Sequence, residues 1–385
     1  MTNVAPRARR AHPHRAMLPT HGRRHNLSLI LQSLYSAGPM SRADLARTVG
    51  LTKVTVSDLV AELLGSNHAV EVGPAAQGRP GKPATLVDVN RSGLQIVGVD
   101  LAEHQVLRAA VLDLDGTILS RVERPVPPIA DAAVDPREDP VVRAVVELVH
   151  EAIAAATAPL LGIGVGTPGI VGPGGAVDTA PNLGWDDVPL REVLHEATGL
   201  PVFVSNDADA AAHAVSTFGG GSDDMMLVKI GRGVGCGLIV GGQRVRGAHY
   251  AAGEIGHVTV GTDNGSACRC GKSGCLETWL SAPNLERLLA EADPDDPERP
   301  LRDGGERLAI AIAPVVAALD LEEVVIAGPQ GLVGDVLLGQ VDATLRSRLL
   351  ARPATERVVR RASDPDDIVL RGAAVLVLWD QLGVA

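Results

Sequence analysis

The sequence predicts an α/β protein in two parts: a small N-terminal module of three helices and a β-wing, then a larger body of two related α/β lobes. Three observations predict this. Between residues 26 and 64 apolar side chains recur at helical spacing with glycine breaks. Beyond residue 93 short apolar runs alternate with turns in a plan that occurs twice. Charge divides along the same line: residues 1–90 hold eleven Lys/Arg against five Asp/Glu, a surplus of +6 that leaves −17 for the remainder of a chain at −11. Parts of opposite sign meet different partners, and a basic front suits a polyanion such as DNA, which the acidic remainder would repel.

At 385 residues, with 45% hydrophobic and 21% charged side chains, the chain is expected to be globular with more than one domain. No apolar run approaches the ~20 residues that crossing a bilayer takes, so no membrane partner is expected. The opening MTNVAPRARRAHPHRAMLPTHGRR is basic but lacks an apolar stretch and a small-residue cleavage site. It reads as a disordered basic tail over 1–24 rather than a secretory signal, and a cytoplasmic location is expected.

From Asn26 the pattern is helical, with Leu27, Ile30, Leu31 and Leu34 in step before the break at Gly38-Pro39. Ser41-Arg42-Ala43-Asp44 has the form of a capping box opening a short helix whose Ala43, Leu45, Ala46 and Val49 face inward and which Gly50 ends. Thr52 caps a third helix with a core stripe of Val56, Leu59, Val60, Leu63 and Leu64, leaving Lys53, Val54, Thr55, Ser57 and Asp58 outside. Two short helices joined by a glycine turn form a helix-turn-helix, the arrangement that lays a recognition helix in the major groove. VEVG and ATLVDV then supply two strands of a wing, and QGRPGKP between them holds Arg79 and Lys82 where they can meet phosphate or the minor groove. The winged helix-turn-helix therefore spans 25–90. Its candidate DNA contacts are Arg42, Thr52, Lys53, Val54, Thr55, Ser57, Asp58, Arg79 and Lys82.

In the body, LQIVGVDLAEHQVLRAAVLDLDGTIL reads as strand, turn, strand and an Asp-Gly turn into a third strand. DMMLVKIGRGVGCGLIVGGQRV repeats that plan, with Gly241-Gly242 at the hairpin. Helices are expected around 140–158 and 277–291, and further strands at LGIGVG, PVFVSND and EVVIAG. Two lobes facing across a cleft are the economical reading, about 91–208 with a terminal helix over 366–385, and about 209–365.

GHVTVGTDNGSACRCGKSGC brings His257, Cys268, Cys270 and Cys275 close together in sequence. Three thiolates and an imidazole are the donor set that tetrahedral structural Zn2+ prefers, and with all four positions filled by protein a structural role is expected. Cys236, inside the glycine stretch, reads as a small buried residue.

Together the winged module, the two glycine-hairpin lobes, Glu254-Ile-Gly-His257 followed by CRCGKSGCLE, and SNDADAAA resemble the ROK family of sugar kinases and transcriptional repressors, over residues 26 to about 380. The resemblance implies a two-lobed actin-like, ribonuclease H-like body. It also implies a sugar site formed by Asn182, Asn206, Asp207, Glu254, His257 and Glu277, with His257 serving metal and sugar alike. Such carboxylates and amides can exchange paired hydrogen bonds with neighbouring hydroxyls, although Asn182 and Glu277 could instead cap a turn or helix.

In the family's kinases Asp207 would be the general base, and three departures bear on whether it acts here. The kinase pattern Asp-x-Gly-Gly-Thr is Asp100-Leu-Ala-Glu103-His104, its Gly-Thr-Gly is Gly231-Arg232-Gly233, and its donor-side glycine loop is Ala327-Gly-Pro329-Gln-Gly331. Bulk and a negative charge enter where phosphates would approach, and Pro329 removes a backbone donor. The expected function is a sugar-responsive repressor of carbohydrate genes without catalysis, binding operator DNA as a homodimer or homotetramer. The alternative is an ATP-dependent sugar kinase with an accessory DNA-binding domain.

Overall fold

The helix caps read from the sequence fix the N-terminal module. The computed structural model describes residues 19–74, 84–103, 105–129, 135–260, 265–350 and 357–384. The chain separates into two compact units, one reaching Val89 and including Leu382–Val384, the other spanning Asn90–Gln381. The first contains α1 (Pro19–Ala37), β1 (Met40–Ser41), α2 (Arg42–Val49), α3 (Lys53–Gly65), β2 (Ala69–Pro74) and β3 (Thr85–Val89). Helix α1 begins inside the segment expected to be a disordered tail, so residues 19–24 are helical; residues 1–18 lie outside the described residues.

Ser41 Oγ accepts the Asp44 N–H at 3.2 Å and donates to Asp44 Oδ2 at 2.7 Å, closing the capping box, and Gly50 ends α2 at φ 71°. Thr52 Oγ1 accepts the Thr55 N–H at 3.2 Å and starts α3. Ile30, Leu31, Leu34, Leu45, Ala46, Val56, Leu59, Val60 and Leu63 are buried. Ala43 is exposed, contrary to the expected inward face, and Leu64 is only half-buried. At about 100° per residue Ala43 stands roughly 200° from Leu45, off the buried stripe. The wing strands β2 and β3 pair antiparallel, with β1 added on the far side of β3. The connection that carries Arg79 and Lys82 lies outside the described residues.

The body contains two five-stranded sheets with one plan. The first uses β4 (Gln95–Asp100), β5 (Val106–Leu112), β6 (Ile118–Pro125), β7 (Leu160–Thr167) and, after a small sheet of β8 (Ile170–Val171), β9 (Val177–Ala180) and β10 (Trp185–Val188), β11 (Val202–Asn206). The second uses β12 (Met225–Ile230), β13 (Val234–Val240), β14 (Gln243–Arg244), β15 (Glu323–Ala327) and β16 (Val358–Arg361). Their orders, β6-β5-β4-β7-β11 and β14-β13-β12-β15-β16, coincide, and so do the strand senses. In each sheet three strands form an antiparallel meander and two more join parallel beyond the first. The duplication read from the sequence is therefore a duplication of topology.

Helices α4 (Pro140–Ala154) and α5 (Leu190–Thr198) belong to the first lobe; α7 (Glu277–Leu280), α8 (Ala282–Ala290), α9 (Arg299–Leu319) and α10 (Asp335–Arg348) belong to the second. Val97, Val99 and Ile163 pack on Val141, Val145 and Leu148 of α4, while Val228, Val324 and Ile326 pack on Leu308, Ile312 and Val341 of α9 and α10. Two helices, α6 (Asp207–Phe218) and α11 (Ile368–Leu382), lie between the sheets. Glycines allow this closeness. A Cβ on Gly164 of β7 would overlap the Ala373 carbonyl of α11, and one on Gly372 would overlap the Ala210 carbonyl of α6. Covered on both faces, β4 is buried at every residue.

Candidate functional site

The six residues carried over as sugar ligands all line one cleft of about 140 Å³ at the C-terminal ends of β7, β11 and β12. Open α/β sheets bind ligands at this end, because the loops that leave the strands converge there. Asn206 ends β11 and caps α6, its Oδ1 accepting the Ala208 N–H at 2.8 Å and the Asp209 N–H at 3.2 Å while Nδ2 donates to Gly169 O at 2.9 Å. Those bonds leave one amide hydrogen for a ligand and fix Asp207, the next residue, at the helix start.

Neither Asn182 nor Glu277 is a cap. Asn182 lies in the turn between β9 and β10, where its carbonyl accepts Arg232 Nη1 at 3.1 Å and its Oδ1 accepts Arg269 Nη1 at 3.0 Å. Both bonds run from the second lobe to the first. Glu277 opens α7, yet its Oε2 reaches back to accept the Val234 N–H at 3.2 Å. Glycine at 233 is needed for this, since a Cβ there would stand 2.6 Å from Glu277 Oε2. Burial raises the Glu254 carboxyl above its usual range, against the pull of His257.

The glycine stretch from 231 to 242 serves packing. A Cβ on Gly237 would come 2.5 Å from Ala208 O, and one on Gly235 would sit 3.0 Å from the Ala208 methyl, so both glycines seat α6 on β13. Gly241 and Gly242, at φ 57° and 70°, form the hairpin into β14. Cys236 is buried among them, and burial pushes its thiol well up.

A residue the sequence reading missed stands at the floor of the cleft. Lys229, on β12 with its side chain 14% exposed, places Nζ 3.1 Å from Asp207 Oδ2. Burial works against its charge, but Asp207 and Asp100 outweigh burial and hold the amine above its ordinary range. Asp100, at the end of β4, is pushed up to about 6, chiefly by burial and partly offset by Lys229. Its Oδ1 accepts the Ala102 N–H at 2.8 Å. The ammonium of the second lobe thus lies among carboxyl groups that follow strands of the first, one of them the group a kinase would use as base. Glu103 turns aside, 3.8 Å from Arg108.

Beside the cleft, one donor atom each from His257, Cys268, Cys270 and Cys275 lies within 4.8 Å of the other three. His257 Nδ1 is 3.6 Å from Cys268 Sγ, and Cys270 Sγ is 3.6 Å from Cys275 Sγ. Tetrahedral bonds of ~2.3 Å put sulfur atoms about 3.8 Å apart, so the cluster has the size of a closed metal site. Burial first, then the two neighbouring thiols, push Cys275 up to about 12, and a bound cation would reverse that by favouring thiolate. The Nε2 of His257 points the other way, 3.9 Å from Glu254 Oε2. One imidazole therefore joins the cluster to the cleft.

In the N-terminal unit, Lys53, Val54, Ser57 and Asp58 are exposed on the first turns of α3, with Val54 at 72%. Three of the expected DNA contacts already use their hydroxyls locally: Thr52 with Thr55 at 2.9 Å, and Ser57 with Lys53 O at 2.9 Å. Arg42 is not a free cation either, being paired with Glu71 of β2 at 2.8 Å.

Among the described residues no helix is long and apolar enough to cross a membrane. Comparison with known proteins agrees with the fold. A xylose repressor of Caldicellulosiruptor bescii is 27% identical, with 93% of this chain and 96% of that protein covered. A glucokinase of Halalkalibacterium halodurans is 34% identical, covering 57% of this chain and 76% of its own. Among solved structures, a ROK family transcriptional regulator homologous to the E. coli MLC protein superposes with a TM-score of 0.80 at 24% identity, covering 94% of this chain and 98% of that one. The sequence pattern of the ROK family matches residues 96–379, and the chain belongs to that family.

Proposed function

We propose that the protein is a sugar-responsive transcriptional repressor of carbohydrate uptake or catabolism genes. The observation that carries this reading is the combination, in one chain, of a capped helix-turn-helix with an exposed first turn on α3 and a cleft on which six polar side chains of the kind that hydrogen-bond hydroxyls converge. The resemblance to the xylose repressor extends over 93% of the chain, whereas the glucokinase resemblance covers 57%. Lys53, Val54, Thr55 and Asp58 would face the major groove, Thr52 and Ser57 the backbone at its edge. Arg42, Arg79 and Lys82 would supply phosphate contacts, Arg42 once released from Glu71.

Asn182, Asn206, Asp207, Glu254, His257 and Glu277 would bind the sugar hydroxyls, and His257, Cys268, Cys270 and Cys275 would hold one structural Zn2+. The ion would fix the His257 ring so that Nε2 faces the sugar beside Glu254. Lys229 argues against phosphoryl transfer. A base must accept a proton from the attacking hydroxyl, and Asp207 Oδ2 is already bound to an ammonium. Two half-sites call for a homodimer or homotetramer in the cytoplasm, and a sugar that favours one arrangement of the lobes would change the DNA affinity by that preference.

The test is fluorescence anisotropy on a DNA site selected from random sequence by the purified protein, titrated with xylose, glucose and N-acetylglucosamine. One of these should weaken DNA binding by roughly five- to 150-fold, the usual span of allosteric coupling. A protein that selects no DNA, or ATP-dependent sugar phosphorylation that disappears in Asp207→Asn, would overturn the reading.

A further inference from the structure

A second cavity, of about 260 Å³, opens beside β11, the edge strand of the first sheet, and shares only Asn206 with the cleft described above. At its floor is Asp209, 8% exposed, whose Oδ2 is 3.1 Å from Arg244 Nη1. Asp209 Oδ1 and Arg244 Nε are both buried and have no partner. An unmatched buried acceptor and an unmatched buried donor are each costly, and a hydroxyl, which both donates and accepts, can answer either.

The walls carry a second signal. Arg191, on the first turn of α5, and Arg246, in the loop after β14, line the same cavity. Among the described residues neither side chain has a hydrogen bond or a carboxylate partner. With Arg244 they put three guanidiniums in the lining, two of which bear on Asp209; the other acid of the lining, Asp380, is engaged by Gln381 at 3.0 Å. The positive charge of Arg246 bears on Arg244 itself. At the rim Tyr250 is held at φ 57°, a left-handed backbone that non-glycine residues seldom adopt, and Trp379 is 51% exposed. Strained residues of this kind collect at ligand sites.

We propose that this cavity is a second ligand site that takes a small hydroxylated anion, its acid group between Arg191 and Arg246 and a hydroxyl on the Asp209–Arg244 pair. Guanidiniums bind phosphate and carboxylate by the same fork geometry, so the class includes phosphorylated and carboxylated polyols. The site does not depend on the neighbouring cleft binding a sugar.

The test is isothermal titration of the full-length protein with glycerol 3-phosphate, D-glycerate and, as the uncharged control, glycerol. At least one anion should bind, glycerol should not, and Arg191→Ala/Arg246→Ala should weaken binding by roughly tenfold or more. Both arginines are exposed, so that variant keeps its fold. Arg269→Ala, which alters the lining of the other cleft, should leave the affinity unchanged. No heat with either anion, affinity retained in the double variant, or affinity lost in Arg269→Ala in its place would overturn the proposal. Between the anions, phosphate-only binding identifies a phosphate ester and glycerate binding a carboxylate.

Discussion

Lys229 joins the end of β12 to the start of α6, and the energetics of the cleft turn on it. Removing one partner of a buried ion pair leaves the other uncompensated. Lys229→Met should therefore lower stability by about 3–5 kcal/mol in urea unfolding at neutral pH. Asp100 has the opposite sense. Its folded value, about 6, lies above the ordinary carboxyl value of 3.8, so its contribution to stability is full below about pH 4 and is lost as pH rises through 6. Asp100→Asn should gain on the wild type between pH 4 and 7, by up to about 3 kcal/mol, and thermal unfolding across that range reads the gain. Asp367, held low by its hydrogen bonds to Arg121, works the other way and loses its contribution in acid.

At this scale the sequence was partly legible. EIGH and CRCGKSGCLE identified the His257 junction because cluster and cleft are built from adjacent residues. Lys229 was hidden: it sits in an apolar strand 22 positions from Asp207, and only the packing of α6 on β12 brings them together. Asn206 was read as a candidate ligand but not as the cap that uses most of its amide, since a cap and a ligand look alike in sequence.

Among elements, α6 and α11 depend on glycine more than on apolar area. Gly164→Ala on β7 places a methyl against the Ala373 carbonyl of α11, and backbone cannot yield as a side chain can. A loss of at least about 3 kcal/mol is expected in urea unfolding, or failure to fold, whereas Gly339→Ala, with open space around it on α10, should be neutral or slightly stabilising. The loop between η1 (Ile255–His257) and α7 is a second element with a simple dependence. Stripping metal with a chelator should release His257 and weaken sugar binding by roughly ten- to 100-fold, with the affinity returning on addition of Zn2+. Strand periodicity and glycine hairpins made the two sheets readable in advance. The reach of α1 back to Pro19 was not, because THGRRH has no apolar spacing of its own.

For the whole molecule the separation of charge gives a further expectation. DNA binding through a section at +6 should weaken steeply with salt, and Lys82→Ala should lower affinity on every DNA sequence while reducing the slope of log K against log salt by about 1. A slope unchanged in that variant would remove Lys82 from the interface. The topology of the body also sets an order of events during synthesis. Helix α11, which covers β4 and β7 through Gly98 and Gly164, is translated after both sheets. The first lobe thus emerges with the part of its sheet that α11 covers still bare, and must wait through the making of the second. A chain stalled before residue 368 would expose β-rich apolar surface, the kind that chaperones hold and proteases find, even though every strand of both sheets had been made.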